Sequence, residues 1–251
     1  MTRRRWIADE VQGNTAVLVG EHAAHLARVL RAEIGQEFDI AIGAEVRPGT
    51  ITSISDDRVE FSLGNRLDTA LAETPSNSAP KITLALAIFK FDRMEWAIEK
   101  CTEIGVARII PVISRRSDAH LAAAATKRHE RWQRIVRQAS EQSRRLAPPE
   151  IAASVKLKDL SGVLPAEAFT CIVLAESLAG AGYGLRLGDA LQSGSSRGEV
   201  ALAVGPEGGW ADEELGWFRE NRWIAASLGE TILRAETAAI VATALALDAL
   251  R

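Results

Sequence analysis

The string with the most chemical content is Ala201-Leu-Ala-Val-Gly-Pro-Glu-Gly-Gly-Trp-Ala-Asp-Glu-Glu-Leu215, which reads as a strand, a glycine-rich turn and the start of a helix. Three glycines around Pro206 let the backbone approach a ligand at the carboxyl end of a strand, where open α/β sheets bind. Asp212, Glu213 and Glu214 fill the first helical turn, where they complement the helix dipole and repel an anion. The loop therefore suits a neutral or cationic group, such as an adenosine carrying a sulfonium, better than a phosphate. A tight strand-to-helix turn without a ligand is the competing reading.

A second string, Ala226-Ser-Leu-Gly-Glu-Thr-Ile-Leu-Arg-Ala-Glu-Thr-Ala-Ala239, sets Arg234 and Glu236 at the mouth of an apolar helix. Charges there are costly unless they are used, although Glu236 capping the helix and pairing with Arg234 is an alternative. A third, Glu176-Ser-Leu-Ala-Gly-Ala-Gly-Tyr-Gly184, fails the GxGxxG test, because counting from Gly180 the third glycine position is Leu185. It reads as a flexible loop, with Leu174 to Glu176 still at a ligand-side strand end. The chain has no GxxxxGK[ST], GxSxG or HExxH. His22 and His25 lack a third ligand, so no metal is expected, and Cys101 and Cys171 read as packed thiols.

These strings need strands and helices to hold them. Glu73-Thr-Pro-Ser-Asn-Ser-Ala-Pro80 has the composition of a linker, giving an N-terminal domain over 1–72 and a second over 81–251. Upstream, Thr15 to Val19, Phe38 to Ile42, Gly49 to Ile54 and Arg58 to Leu63 are short β-leaning runs between turns, which predicts a small β-barrel. His22 to Arg31 has helical periodicity, with Leu26, Val29 and Leu30 expected inward and Arg28 and Arg31 projecting. Downstream, strands at 82–89, 108–113, 171–175, 200–204 and 223–227 alternate with helices at 93–104, 123–146, 211–222 and 235–250, the pattern of an α/β parallel sheet. The last helix is apolar nearly all round and is expected to be buried on more than one side, as at a subunit interface.

Thirty basic and 33 acidic residues give a net charge of −3, but their distribution is uneven. Between Arg115 and Arg145 nine basic residues face three acidic ones, a local +6. Lys127, Arg131, Arg134, Gln138 and Arg145 share one helix face, opposite Trp132, Ile135, Val136 and Ala139. With Arg3, Arg4, Arg5, Arg28 and Arg31 that face is a candidate phosphate-tracking surface, a solvated surface being the alternative. The basic N-terminus lacks the apolar core of a secretion signal and no stretch reaches the ~20 residues of a membrane span, so a cytoplasmic setting is expected.

Four ordered segments resemble one family. They are Phe89-Lys-Phe-Asp-Arg-Met-Glu-Trp-Ala-Ile-Glu-Lys-Cys-Thr-Glu-Ile-Gly-Val106, Gln138-Ala-Ser-Glu-Gln-Ser-Arg144, Val204-Gly-Pro-Glu-Gly-Gly209 and Ser227-Leu-Gly-Glu-Thr-Ile-Leu-Arg-Ala-Glu-Thr-Ala238. Together they are similar to the RsmE family of ribosomal RNA small subunit methyltransferases, within the SPOUT superfamily. Arg3 to Arg5 and His25 to Arg31 resemble its PUA-like RNA-binding barrel. The resemblance implies S-adenosylmethionine as methyl donor, N3 of a uridine in 16S rRNA as acceptor, a homodimer and a trefoil-knotted second domain, itself a rare topology. It also implies a cofactor site of Leu174, Ala175, Glu176, Val204, Gly205, Pro206, Glu207, Gly208, Gly209, Leu228, Gly229, Ile232, Leu233 and Arg234. Gly180 to Gly184 match no family motif.

Methylation at N3 requires loss of the imide proton. Arg234 is the candidate cation for the developing charge, and Glu207 or Glu236 the group that orients or deprotonates the base. A non-catalytic RNA-binding dimer and a SPOUT enzyme acting on another RNA are the alternatives.

Overall fold

The computed structural model describes residues 5–65, 81–164, 168–175, 185–193 and 199–250. The chain forms two compact units, Met1–Asn77 with Ser140–Pro148, and Ser78–Ala139 with Pro149–Arg251. The linker expected at 73–80 lies outside the described residues. Ser140–Pro148, which the sequence places in the second domain, packs with the first unit.

In the first unit, strands β1 (Arg5–Ile7), β2 (Glu10–Gln12), β3 (Thr15–Val19), β4 (Glu37–Ile42), β5 (Glu45–Ile54) and β6 (Arg58–Leu63) build one curled sheet in the order β1-β4-β5-β6-β3-β2. This is the N-terminal β domain expected from the sequence. Among the described residues only β1 and β4 pair in parallel. Period-two alternation sends Val59, Phe61 and Leu63 of β6 into a core with Trp6, Leu18, Ile40 and Ile51. A Cβ at Gly49 would lie 2.5 Å from Cγ1 of Ile40, so β5 can pair with β4 at this point only with glycine.

The helix expected over His22 to Arg31 is different in form. A short helix α1 (Glu21–Ala24) passes into a π-turn over His25–Val29, with Leu30 N–H donating to the His25 carbonyl. Widening the turn by one residue rotates the residues after it about the helix axis. Leu26 stays buried, but Val29 and Leu30 turn outward, 65% and 48% exposed, contrary to the inward placement read from the sequence.

In the second unit every strand pairing among the described residues is parallel, as expected for helices packed on both faces of a sheet. The strands are β7 (Lys81–Ala87), β8 (Arg108–Ile113), β9 (Glu150–Ile151), β10 (Val155–Lys156), β11 (Thr170–Leu174), β12 (Leu185–Arg186), β13 (Glu199–Val204) and β14 (Ile224–Ser227). Their order is β10-β8-β7-β13-β11-β14-β12, with β9 also on β8. The five expected strands form the body of the sheet. The two-residue strands β9, β10 and β12 are too short to show a period.

Alternation along β7 divides the core. Ile82, Leu84 and Leu86 face α2 (Phe91–Ile104), α4 (Leu187–Ser193) and α6 (Ala235–Ala249), while Ala85 and Ala87 share a cluster with Trp210, Phe218 and Trp223, Phe218 belonging to α5 (Asp212–Glu220). On α6 the inner face is Ala239, Ala242, Thr243, Ala246 and Leu247, whereas Ala244 and Leu245 are exposed, so this chain covers one side of that apolar helix. A knot is a property of the whole chain path, which here passes through residues 176–184 and 194–198, outside the described set.

The long helix α3 spans Ala119–Gln142, shifted four residues from the expected 123–146. Asp118 sets its start by accepting from the His120 and Leu121 N–H groups, an N-cap. Trp132, Val136 and Ala139 are buried and Lys127, Arg131, Arg134 and Gln138 exposed, as their spacing predicts. Arg145 does not extend that cationic face. It lies beyond the helix end, after Arg144 at φ 61°, and burial pushes its guanidinium below its ordinary value.

Candidate cofactor and active site

Because the strands are parallel, the carboxyl ends of β11, β13 and β14 open on the same edge of the sheet. The segments leaving those ends enclose a cavity of about 520 Å³. Leu174 and Ala175 contribute from β11, Val204 to Trp210 from β13, and Ala226 to Gly229 with Thr231 to Ala235 from β14. Ala175 N–H donates to the Ala226 carbonyl at 3.1 Å, joining two of the three walls.

The glycine-rich turn is shaped by close approach. Gly209 has φ 67°, and its N–H donates to the Pro206 carbonyl at 2.8 Å. A Cβ at Gly205 would stand 3.2 Å from Nε1 of Trp210, whose ring packs on Phe218 at 4.8 Å. The indole N–H of Trp210 is buried without a partner among the described residues. Below the turn, Glu214 is buried at the start of α5 and accepts from the N–H groups of Ala211 and Arg115, each at 2.8 Å.

Two arginines hold the turn from neighbouring strands. Arg93, in the first turn of α2 after β7, lies 3.4 Å from Glu207, and Arg116, after β8, donates to the Gly208 carbonyl. The same Arg93 guanidinium lies 3.9 Å from Glu236 in the first turn of α6. Glu236 is buried, one of its oxygens has no partner among the described residues, and it is not on the cavity wall. Arg234 occupies the N-cap position of α6 and lines the cavity. The pairing of Glu236 with Arg234 allowed by the sequence is replaced by one with Arg93.

Every described residue nominated for the cofactor lies on this wall: Leu174, Ala175, Val204 to Gly209, Leu228, Gly229 and Ile232 to Arg234. Glu176 lies outside the described residues. Arg93, Arg116, Trp210, Ser227 and Thr231 also line the cavity, although neither the loop strings nor the family resemblance marks them as cofactor contacts. Arg93 stands inside the first quoted motif, and Arg116 is hidden in the basic stretch read as an RNA face.

The arginines nominated for RNA are placed variously. Arg3 and Arg4 lie outside the described residues. Arg5 is half-buried and donates to the Arg144 carbonyl; burial lowers its guanidinium below the ordinary value, with Asp39 opposing and Arg144 adding to the shift. It is therefore not the free surface cation that the sequence suggests. Arg28 pairs with Asp56 at 3.1 Å and Arg131 with Glu95 at 2.8 Å, while Arg31 and Arg134 are exposed. Among the described residues no group of ligating side chains is suited to a metal ion, and no helix is long and apolar enough to cross a membrane.

The profile of the RNA methyltransferase domain family matches residues 76–247. The chain is 32% identical to the ribosomal RNA small subunit methyltransferase E of Synechocystis, over 92% of this chain and 72% of that protein. Its counterpart in Rickettsia conorii is 30% identical over 96% and 93%. The chain belongs to this family. Methyltransferase E of Neisseria gonorrhoeae, solved bound to S-adenosylmethionine, superposes with a TM-score of 0.81 at 29% identity, over 97% of this chain and 96% of that one. The mixed α/β architecture with its N-terminal β domain is thus that of methyltransferase E.

Proposed function

We propose that the protein transfers a methyl group from S-adenosylmethionine to N3 of a uridine in the 16S rRNA of the small ribosomal subunit, acting in the cytoplasm as a homodimer. The observation that carries this reading is the convergence of three sequence-distant loops on one cavity in a chain of the methyltransferase E family. The cavity fits such a cofactor. Its volume is in the range of small-molecule sites, the buried Trp210 indole N–H lacks a partner among the described residues, and Glu207 on the wall suits a sulfonium. The exposed Asp212 and Glu213 at the start of α5 disfavour a phosphate.

Bound there, S-adenosylmethionine supplies an activated methyl carbon. Backbone groups of Gly205 to Gly209 and Leu228 to Leu233, with Leu174, Ala175 and Glu176, hold the cofactor. Arg234 faces the negative charge that grows on the uracil. Glu207 orients the reacting groups, and Glu236 acts through Arg93, which it holds beside the cavity. Much of the rate enhancement comes from alignment of donor and acceptor.

In this reading residues 1–72 form a PUA-like RNA-binding domain and residues 81–251 the SPOUT methyltransferase domain. Arg28, Arg31, Arg131 and Arg134, with Arg3 and Arg4, contact the RNA backbone. Arg5 contributes by ordering the first unit through Arg144. The exposed apolar side of α6 is the dimer contact.

The test is transfer of labelled methyl from S-adenosylmethionine to small subunits lacking the modification, followed by nucleoside analysis. A 3-methyluridine product is expected. No transfer to subunits or naked rRNA, together with no cofactor binding, would support a non-catalytic RNA binder instead.

A further inference from the structure

Among the described residues the cavity wall carries four charged side chains, Arg93, Arg116, Arg234 and Glu207, a balance of +2. It carries no histidine, cysteine, lysine or tyrosine among the described residues. A general base needs a free acceptor atom within reach of the proton, and among the described residues this wall offers one carboxylate, whose oxygen is already engaged by Arg93 at 3.4 Å. The second carboxylate, Glu236, sits off the wall with the same guanidinium 3.9 Å away. The cations are better placed. Arg234 has no ion pair to any described residue, and a cation fixed beside a partly apolar cavity stabilises an anion far more than it would in water.

We propose that the acceptor uracil reacts as its anion, captured by the arginines of the wall, and that neither Glu207 nor Glu236 removes its proton. The N3 proton leaves to solvent first. The N3 electron pair then forms the bond to the methyl carbon as the carbon–sulfur bond breaks, and the bonding pair of the broken bond stays on sulfur, leaving a neutral thioether and a neutral methylated base. Before transfer the anion and the sulfonium offset each other, so the step dissipates charge inside the site. Arg234 is the principal anion partner. Arg93 and Arg116 add to the field while holding the glycine-rich turn. The inference rests on uridine N3 being the acceptor.

The experiment is single-turnover methyl transfer to unmodified small subunits, at saturating cofactor and excess protein, across neutral pH. The unsubstituted protein is compared with Arg234→Ala, Arg234→Lys and Glu207→Gln. Uracil captured as its anion predicts a rate rising about tenfold per pH unit, because the reactive fraction does so below the imide's own ionisation. Glu207→Gln lowers the rate by about tenfold through the turn and cofactor but keeps the slope. Arg234→Ala lowers it by about a hundredfold at neutral pH with the slope kept, and Arg234→Lys restores part of that loss. An inflection that survives Glu207→Gln and moves to higher pH in Arg234→Ala is the imide's own ionisation and supports the proposal.

A rate independent of pH, or an inflection abolished by Glu207→Gln, would overturn it in favour of a carboxylate base. No 3-methyluridine from the unsubstituted protein would overturn the functional reading itself, an outcome distinct from 3-methyluridine formed with the wrong pH profile.

Discussion

Glu214 accepts the backbone N–H of Arg115, ninety-nine residues earlier in the chain, at 2.8 Å. Its other oxygen accepts the N–H of Ala211, so one buried carboxylate joins the start of α5 to the loop after β8. The next residue of that loop, Arg116, grips the Gly208 carbonyl. Glu214→Ala leaves two N–H groups unmatched and is expected to cost about 2–3 kcal/mol. Denaturant unfolding checks this, and the weaker grip on the turn also lowers cofactor affinity in titration calorimetry.

Gly205→Ala separates binding from stability. The added methyl would sit 3.2 Å from Trp210 Nε1, so the indole must move by a few tenths of an ångström. The expected loss of stability is about 1 kcal/mol. The loss in cofactor affinity is expected to be about tenfold or more, because the same indole forms part of the wall. Equal affinity in variant and parent would contradict this role for Trp210.

Cys101 gives a prediction in pH. Burial pushes its thiol up to about 12 from 9.0, with the hydrogen bond from Thr243 opposing. The folded value is above the unfolded one, so this contribution to stability is fully present below pH 9.0 and is lost as pH rises toward about 12. Replacing Cys101 with Ala should flatten that alkaline decline in unfolding experiments. The native thiol should also resist alkylation at pH 8 and react once the chain unfolds.

Leu245, 48% exposed on the outer side of α6, is the position at which to test self-association. Leu245→Glu places a charge on an apolar face while leaving the inward Ala242, Ala246 and Leu247 in place. Sedimentation is expected to show a monomer for the variant and a dimer for the parent, with the variant's unfolding midpoint matching that of the parent once the parent is diluted enough to dissociate. A parent that sediments as a monomer would remove the dimer from the proposed function.

The glycine loops are legible in the sequence because each signal is local, a β-leaning run followed within a few residues by glycine and then by helix. Arg93 and Arg116 are not, since their place on the wall depends on β7 lying between β8 and β13. That register pairs Leu86 with Val204, 118 positions later. Glu236 shows the converse error. Its proximity to Arg234 in sequence suggests a pair, but the helix turn carries its carboxylate toward Arg93. The π-turn at His25–Val29 is equally hidden, because an α-helical period assigns Val29 and Leu30 the inward phase that the wider turn takes from them.

The return of Ser140–Pro148 to the first unit bears on how the chain matures during synthesis. Ile7 N–H meets Glu141, and Arg5 meets the Arg144 carbonyl, so the first strand is completed by residues that leave the ribosome after β7, α2, β8 and most of α3. Stopping translation at residue 77 would yield the six strands without these supports. The N-terminal unit is thus continuous in space but arrives in two instalments, and it reaches its final form only after more than a third of its neighbour has been made.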